Sequence, residues 1–510
     1  MSEGHEMEAL RRRQAPLEMS PGRFREIGHR LVDRIAERLA SLPHGLVKPD
    51  ESPAQVRRAL GAERALPPKG ADAGDLVAEA VDLLFDHSLF NAHPRFFGYI
   101  TSSPAPIGMF GDFLAAALNQ NVGAQQLSPA ATEIEGQVVR WIAELIGFPT
   151  DAGLGGLLVS GGNMANAVCL LAARAAKAPW DVRQEGMRRG LVAYASTETH
   201  GWIKKAADMF GLGTDAIRWI ASDAQGRMDV GDLRRRIVED LRSGQHPFFV
   251  VGTAGSVGTG AVDPLAEIAA LSREHGLWFH VDGAYGALAA QAEGAPASLR
   301  GLSAADSVAV DPHKWLYAPL EAGCVLVRDV GTLRGAFSYH AAYYHFDEQA
   351  VNYFDLGPQN SRGFRALKVW LALRQVGAAG QLKMIGDDMR LARHLHRLVT
   401  EHPEFEATSQ ALSITTFRYV PPDLRPRLGS EDVESYLNEL NQALLTAVEQ
   451  GGEAFLSNAI VDGRFVLRAC IVNFHTCLGD VEALPPLLSG LGRKIDVSLR
   501  ETAGVGSPSA

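Results

Sequence analysis

Seven short apolar runs, separated by stretches with helical spacing, constrain this chain more than any other feature. They are Leu157–Val159, Val192–Ala195, Ile217–Ile220, Phe248–Val251, Leu277–Val281, Val308–Val310 and Cys324–Val327. Segments such as Pro129–Ile146 and Asn163–Lys177 lie between them and read as helices. The runs are apolar throughout rather than alternating, so both faces of each strand must be covered. Strands that alternate with helices in this way predict an α/β domain with a mostly parallel seven-stranded sheet clothed by helices. Ligands in such sheets collect outside the carboxyl ends of the strands. The residues that end the runs are therefore the ones to read for chemistry.

The remainder of the 510 residues supplies further units. Ser20-Pro21 reads as the cap and first residue of a helix. Phe24, Ile27, Leu31, Ile35 and Leu39 recur on one face of it, and Leu76–Leu84 has the same character. Beyond Arg362 a long helical stretch leads to Ser413–Val420, Glu431–Glu449 and Phe465–Val472, the pattern of a smaller α+β domain. The net charge of −10 argues against a general nucleic-acid binder and against attraction to acidic membranes. No apolar run reaches transmembrane length, and the polar N-terminus lacks the apolar core of a signal peptide. Cys169, Cys324, Cys470 and Cys477 show no metal-site spacing and sit in or beside apolar segments. Buried free thiols in a reducing cytoplasm are expected.

The chemistry lies at the strand ends. Val308–Val310 runs through Asp311-Pro312-His313 into Lys314, bracketed by Trp315. A Lys at the rim of a sheet can form a Schiff base with an aldehyde cofactor; the bland alternative is a surface Lys after a turn. Leu277–Val281 ends on Asp282, which could hold the proton of a pyridine nitrogen or simply cap the following helix. Ala284, two positions on, leaves room for a flat ring. Ser160-Gly161-Gly162-Asn163 turns from a strand into an apolar helix, where backbone N–H groups can approach a phosphate; tight turns also favour Gly. The stretch Gly252–Gly260 has no Lys after its glycines and is no P-loop; its Thr253 is expected to face the cofactor. His200 follows the strand of Val192–Ala195 and could stack on a flat ring and carry a proton, or be an ordinary surface His. The aromatic stretch Gly331–Gln359 has no clear period and reads as a long functional loop. Together a Lys, an Asp and a glycine turn at three strand ends are what a pyridoxal-phosphate (PLP) enzyme needs. A competing reading has His280, Asp282, Asp311 and His313 holding a divalent metal in a hydrolase. A third is a non-catalytic scaffold that keeps the fold.

Several motifs in order make the chain resemble the group II PLP-dependent amino-acid decarboxylases, in the aromatic-L-amino-acid-decarboxylase-like, bacterial-type branch. They are His93-Pro94-Arg95-Phe96-Phe97, Ser128-Pro129 with Glu133 and Glu135, HVDGAY at 280–285, DPHKW at 311–315 and RGFRALK at 362–368. The resemblance implies PLP fold type I and a homodimer with shared active sites. It implies an N-terminal helical segment (1–92) packed on the partner subunit, a large PLP-binding domain (93–380), a small domain (381–498) and a mobile tail (499–510). Lys314 then corresponds to the Schiff-base Lys, Asp282 to the partner of the pyridine nitrogen, Ala284 to the residue under the ring and His200 to the His above it. Gly161, Gly162 and His313 correspond to phosphate contacts, with Thr253 close by.

The family's loop Tyr, which protonates the substrate carbon after CO2 leaves, maps to Tyr343, with Tyr344 adjacent. Tyr99, Ser102, Asn121, Gly123 and Ser361 map to the substrate pocket. Asp311 stands where the family often has Asn; beside a phosphate dianion it is expected to point away. The implied reaction is decarboxylation of an L-amino acid, aromatic ones favoured, to the amine and CO2. An aldehyde synthase or another PLP lyase on the same fold is the alternative.

Overall fold

The computed structural model describes residues 7–8, 10–13, 15–340 and 350–502. Its contacts divide the chain into two compact units, Met1–Phe90 and Asn91–Ala510. In the first, helices α1 (Pro21–Ser41) and α2 (Ala73–Asp86) pack side by side. Ser20 caps α1 by accepting the Arg23 N–H, and Arg34 reaches Asp82 across the pair at 2.6 Å.

The second unit opens with α3 (Pro106–Leu118), α4 (Pro129–Ile146) and α5 (Gly162–Lys177) around the strands β1 (Gly155–Val159), β2 (Leu191–Ser196), β3 (Ile217–Ile220), β4 (His246–Thr253), β5 (Trp278–Asp282), β6 (Ser307–Val310) and β7 (Gly323–Val327). These form one sheet in the order β1-β7-β6-β5-β4-β2-β3. The pairs from β6 through β3 are parallel, and β7 runs antiparallel to both neighbours. Every residue of β1, β2, β5, β6 and β7 is buried, which is why those runs lack alternation.

Helix α6 (Ala366–Glu401) leads to a four-stranded antiparallel sheet of β8 (Phe405–Ala411), β9 (Ile414–Tyr419), β10 (Ser457–Val461) and β11 (Arg464–Cys470), in the order β10-β11-β9-β8. Together with α7 (Glu431–Gly451) and α8 (Leu484–Thr502) it encloses a second core of Leu395, Phe405, Phe417, Leu437, Leu444, Leu467 and Leu488. No helix of the described residues is long and apolar enough to cross a membrane.

The domain border expected at 380/381 lies within α6, whose one break is Gly377, at φ 64°. Three expectations need correction. The tail begins later than 499, because α8 continues to Thr502; residues 503–510 lie outside the described residues. Cys477 is exposed, unlike the buried Cys169, Cys324 and Cys470. The aromatic stretch after Gly331 is not loop throughout: Val330–Phe337 is helical, capped by Asp329. Tyr353 and Phe354 are buried, with the Arg362 guanidinium 4.7 Å from the Tyr353 ring centroid.

Candidate active site

Strand register assembles the site. Thr253 of β4 lies opposite Asp282 of β5, which lies opposite Ala309 of β6. Two residues past Ala309 the chain turns at Asp311 into the single helical turn Pro312–Trp315, which carries His313 and Lys314. From the far side β1 ends at Val159 and turns through Gly161 into α5; the φ of 135° at Gly161 requires glycine. A cavity of about 1060 Å³ opens over these ends. It is lined by each residue expected to face the cofactor: Lys314, Asp282, Ala284, His200, Gly161, Gly162, Thr253 and His313.

Neighbours fix most of these side chains. Asp282 Oδ2 accepts the indole N–H of Trp202 at 2.8 Å, and Oδ1 accepts the Ala284 N–H at 3.2 Å. His200 Nδ1 accepts the Trp202 backbone N–H at 3.2 Å, which puts the proton of the neutral ring on Nε2. His313 Nδ1 accepts the Ala322 N–H at 3.1 Å, and its carbonyl accepts the Ser102 hydroxyl at 2.8 Å. Burial pushes the His313 pKa down, which favours the neutral ring.

The Lys314 turn is held through its neighbours Trp315 and Tyr317. Trp315 stacks on Tyr285 at 4.7 Å and donates its indole N–H to Asp388 at 2.8 Å. Tyr317 donates to the same oxygen at 2.7 Å. Burial raises the Asp388 pKa to about 7. Below the sheet end, Arg362 forms a buried ion pair with Glu135 and donates to the Leu158 carbonyl at 2.7 Å. This accounts structurally for two of the sequence motifs. Breaking such a pair typically costs about 3–5 kcal/mol.

Asp311 does not point away. It lines the cavity, 2% exposed, with Oδ2 at 3.0 Å from Lys314 Nζ. The amine draws the carboxylate inward. Of the residues assigned to the substrate pocket, Tyr99 lines the cavity. Ser102 stands behind His313 in a neighbouring one. Asn121, Gly123 and Ser361 do not line the cavity. Asn121 Oδ1 accepts the Arg362 N–H at 2.9 Å, a Cβ on Gly123 would come within 2.5 Å of the Asn360 carbonyl, and Ser361 is exposed. Tyr343 and Tyr344 lie outside the described residues.

The residues fit PLP. The glycine turn and the start of α5 suit a phosphate. Each Asp282 oxygen keeps a lone pair for a ring N–H. Thr253 Oγ1 is buried and, among the described residues, has no hydrogen-bond partner, so it can serve a ligand. The metal reading finds no comparable cradle. Among the described residues no three His, Cys, Asp or Glu gather to hold an ion. His280 uses both nitrogens, on Ser307 Oγ (2.9 Å) and Asn166 Oδ1 (2.7 Å), and burial lowers its pKa to about 4.

Sequence reasoning missed Trp202 and Arg468. Trp202 followed His200 closely enough to be noticed. The better signal was Arg468, a lone cation inside the otherwise apolar run Phe465–Val472. It is 2% exposed, and Nη1 donates to the Tyr99 carbonyl and to Ser457 Oγ, each at 3.0 Å. Its Nε and Nη2 have no partner among the described residues, and the side chain lines the cavity.

Comparison with known proteins agrees with this geometry. Residues 53–420 match the model of the pyridoxal-dependent decarboxylase conserved domain. An aromatic-L-amino-acid decarboxylase of Bacillus atrophaeus is 32% identical over 487 residues, covering 94% of this chain and 98% of that one. A phenylacetaldehyde synthase of Petunia hybrida is 29% identical over 463 residues, covering 89% and 91%. The crystal structure of Oryza sativa TDC with PLP and tryptamine superimposes with a TM-score of 0.86 at 26% identity, covering 95% of this chain and 100% of that one. The fold and site thus define a PLP-dependent enzyme of fold type I. The chain belongs to the pyridoxal-dependent decarboxylase family.

Proposed function

We propose that this enzyme removes the α-carboxylate of an L-amino acid, aromatic ones favoured, and releases the amine and CO2. The observation that carries the reading is Arg468, a buried guanidinium at the wall of the same cavity as Lys314, whose Nε and Nη2 have no partner among the described residues. A planar cationic fork of this kind suits a carboxylate. Tyr99, Val257, Leu320 and Ile460 add exposed apolar surface around the cavity, which favours an aromatic side chain over a charged one.

Bound PLP supplies the electron sink that lets CO2 leave the α-carbon. The chain's own residues do the rest. Lys314 offers the amine that anchors the cofactor. Asp282, backed by Trp202, holds a proton on the ring nitrogen, and Ala284 leaves space beneath the ring. Gly161, Gly162 and His313 receive the phosphate, and Thr253 lies close to the cofactor. Arg468 orients the substrate carboxylate. His200 stands at the cavity wall, and Tyr343 returns a proton to the α-carbon.

The working form is a homodimer. Helix α3 exposes Phe110, Phe113, Leu114 and Leu118, an apolar face that calls for a cover. Asn121 and Gly123 follow this helix directly, so they and Ser361 shape the cavity of the partner subunit. The N-terminal helices pack on that subunit too. The setting is the cytoplasm, which keeps the four free thiols reduced.

Visible absorbance of the purified protein, before and after borohydride, tests the anchor. The expected result is a band that borohydride removes, leaving a pyridoxyl adduct on the Lys314 peptide by mass spectrometry. No band and no adduct after adding PLP would overturn the reading. Screening amino acids for CO2 release then identifies the substrate. An amine without hydrogen peroxide or ammonia supports simple decarboxylation; an aldehyde with both supports the synthase. Tyr343→Phe should slow amine formation or divert it to aldehyde. If only Tyr344→Phe does so, the loop register moves by one.

A further inference from the structure

One carboxylate in the cavity has no role in the scheme above. Asp311 Oδ2 lies 3.0 Å from Lys314 Nζ and 3.7 Å from His313 Nε2. Asp311 Oδ1 is buried and has no hydrogen-bond partner among the described residues. A Cβ on Gly162 would stand 2.7 Å from Oδ2, so the carboxylate is pressed against the first residue of α5. The positive end of a helix dipole favours the ionised carboxylate at that spot. Buried as it is, a carboxylate needs a cation, and Lys314 is the ammonium within reach.

We propose that Asp311 is the counter-ion that receives Lys314 whenever its amine is free, both before the cofactor attaches and within each turnover. The turnover half rests on the reading of Lys314 as the cofactor anchor. When a substrate nitrogen takes the place of Lys314 at the cofactor carbon, the C=N link to Lys314 would be exchanged for one to the substrate. The substrate ammonium would give up two protons, and the departing Lys314 nitrogen would gain two and leave as an ammonium. Asp311 holds the resulting ammonium at the cavity wall, away from the reacting α-carbon. The two protons would pass to the amine product when Lys314 returns, so the exchange needs no outside acid. Asp311 is thus a catalytic residue, in contact with the nitrogen that is exchanged.

The test reads the free amine directly. The full chain, stripped of cofactor, is treated with trace acetic anhydride at pH 8, and acetylation of Lys314 is compared with that of exposed Lys205. Only an uncharged amine reacts. Asp311→Asn should label Lys314 roughly tenfold faster than wild type, the order of effect of removing one close counter-charge. Asp311→Glu, which keeps the charge, should stay near the wild-type rate. Asp311→Ser serves as a second neutral variant should the Asn protein not fold. Equal labelling in wild type and the neutral variants overturns the proposal. The same proteins are then incubated with PLP and borohydride. Different labelling with no adduct on Lys314 in any of them overturns the anchor reading and the turnover role, and leaves the ion pair established.

Discussion

The indole N–H of Trp202 meets Asp282 Oδ2 at 2.8 Å, at the buried end of β5. A charge-assisted hydrogen bond of this kind is worth about 1.5–3 kcal/mol. It points the carboxylate, and each oxygen keeps a lone pair for the cavity. Trp202→Phe keeps the ring and removes the donor. PLP affinity should fall about tenfold, on the scale of that bond. Equilibrium dialysis with absorbance detection reads it, and unchanged affinity would mean that Trp202 only packs.

Gly162 should tolerate no side chain. A Cβ there would sit 2.7 Å from Asp311 Oδ2 and 3.2 Å from Ala284 Cβ. Gly162→Ala should cost about 1–3 kcal/mol of stability through overpacking. It should also weaken PLP binding, because the phosphate turn and Asp311 must both move. Thermal unfolding with and without PLP separates the two effects: the stabilisation by PLP should shrink.

Arg468→Met should raise KM more than it lowers kcat. A cation that grips the carboxylate in the ground state is expected to contribute chiefly to substrate binding. We expect KM to rise by roughly 10- to 100-fold, the scale of one lost charge-assisted contact. Arg468→Lys should recover part of it. Steady-state kinetics on the best substrate decides, and a pure kcat loss would remove Arg468 from the binding role.

The small domain carries a pH dependence of its own. Glu404 accepts bonds from Arg493 at 2.7 Å and Ser489 at 2.7 Å, and these hold its pKa down to about 2. A depressed folded pKa contributes stability above the unfolded value, near 4.5, that is lost as pH falls toward about 2. Arg493 is largely exposed, so screening trims the contribution to on the order of 1–2 kcal/mol. Glu404→Gln should lower Tm at pH 7, and the gap to wild type should close as pH falls through that window.

Much of this architecture was legible in the runs of apolar residues. Pro129–Ile146 and Ile217–Ile220 match their elements in full, and the other large-sheet runs matched to within a residue or two at each end. Burial on both faces leaves a continuous apolar signal that a single sequence displays. Strands β8 and β10 went unread. Most of β8 is half-buried, as in Glu406-Ala407-Thr408, and β10 alternates between buried and exposed residues, so neither shows a long apolar run. Strand-end polar residues identified the site because parallel register places neighbouring strand ends side by side, as Thr253 and Asp282 show.

The sequence by itself determined the sheet and singled out the strand-end residues, Lys314 among them, that meet in the cavity. These rest on local periodicity and on short motifs. Only the tertiary structure decided which side chains meet across long separations. It turned Asp311 toward Lys314, set Trp202 against Asp282 eighty residues away, and delivered Arg468 from the small domain to the cavity. Such pairings depend on side-chain direction at the crossing of separate elements, and periodicity carries no information about that.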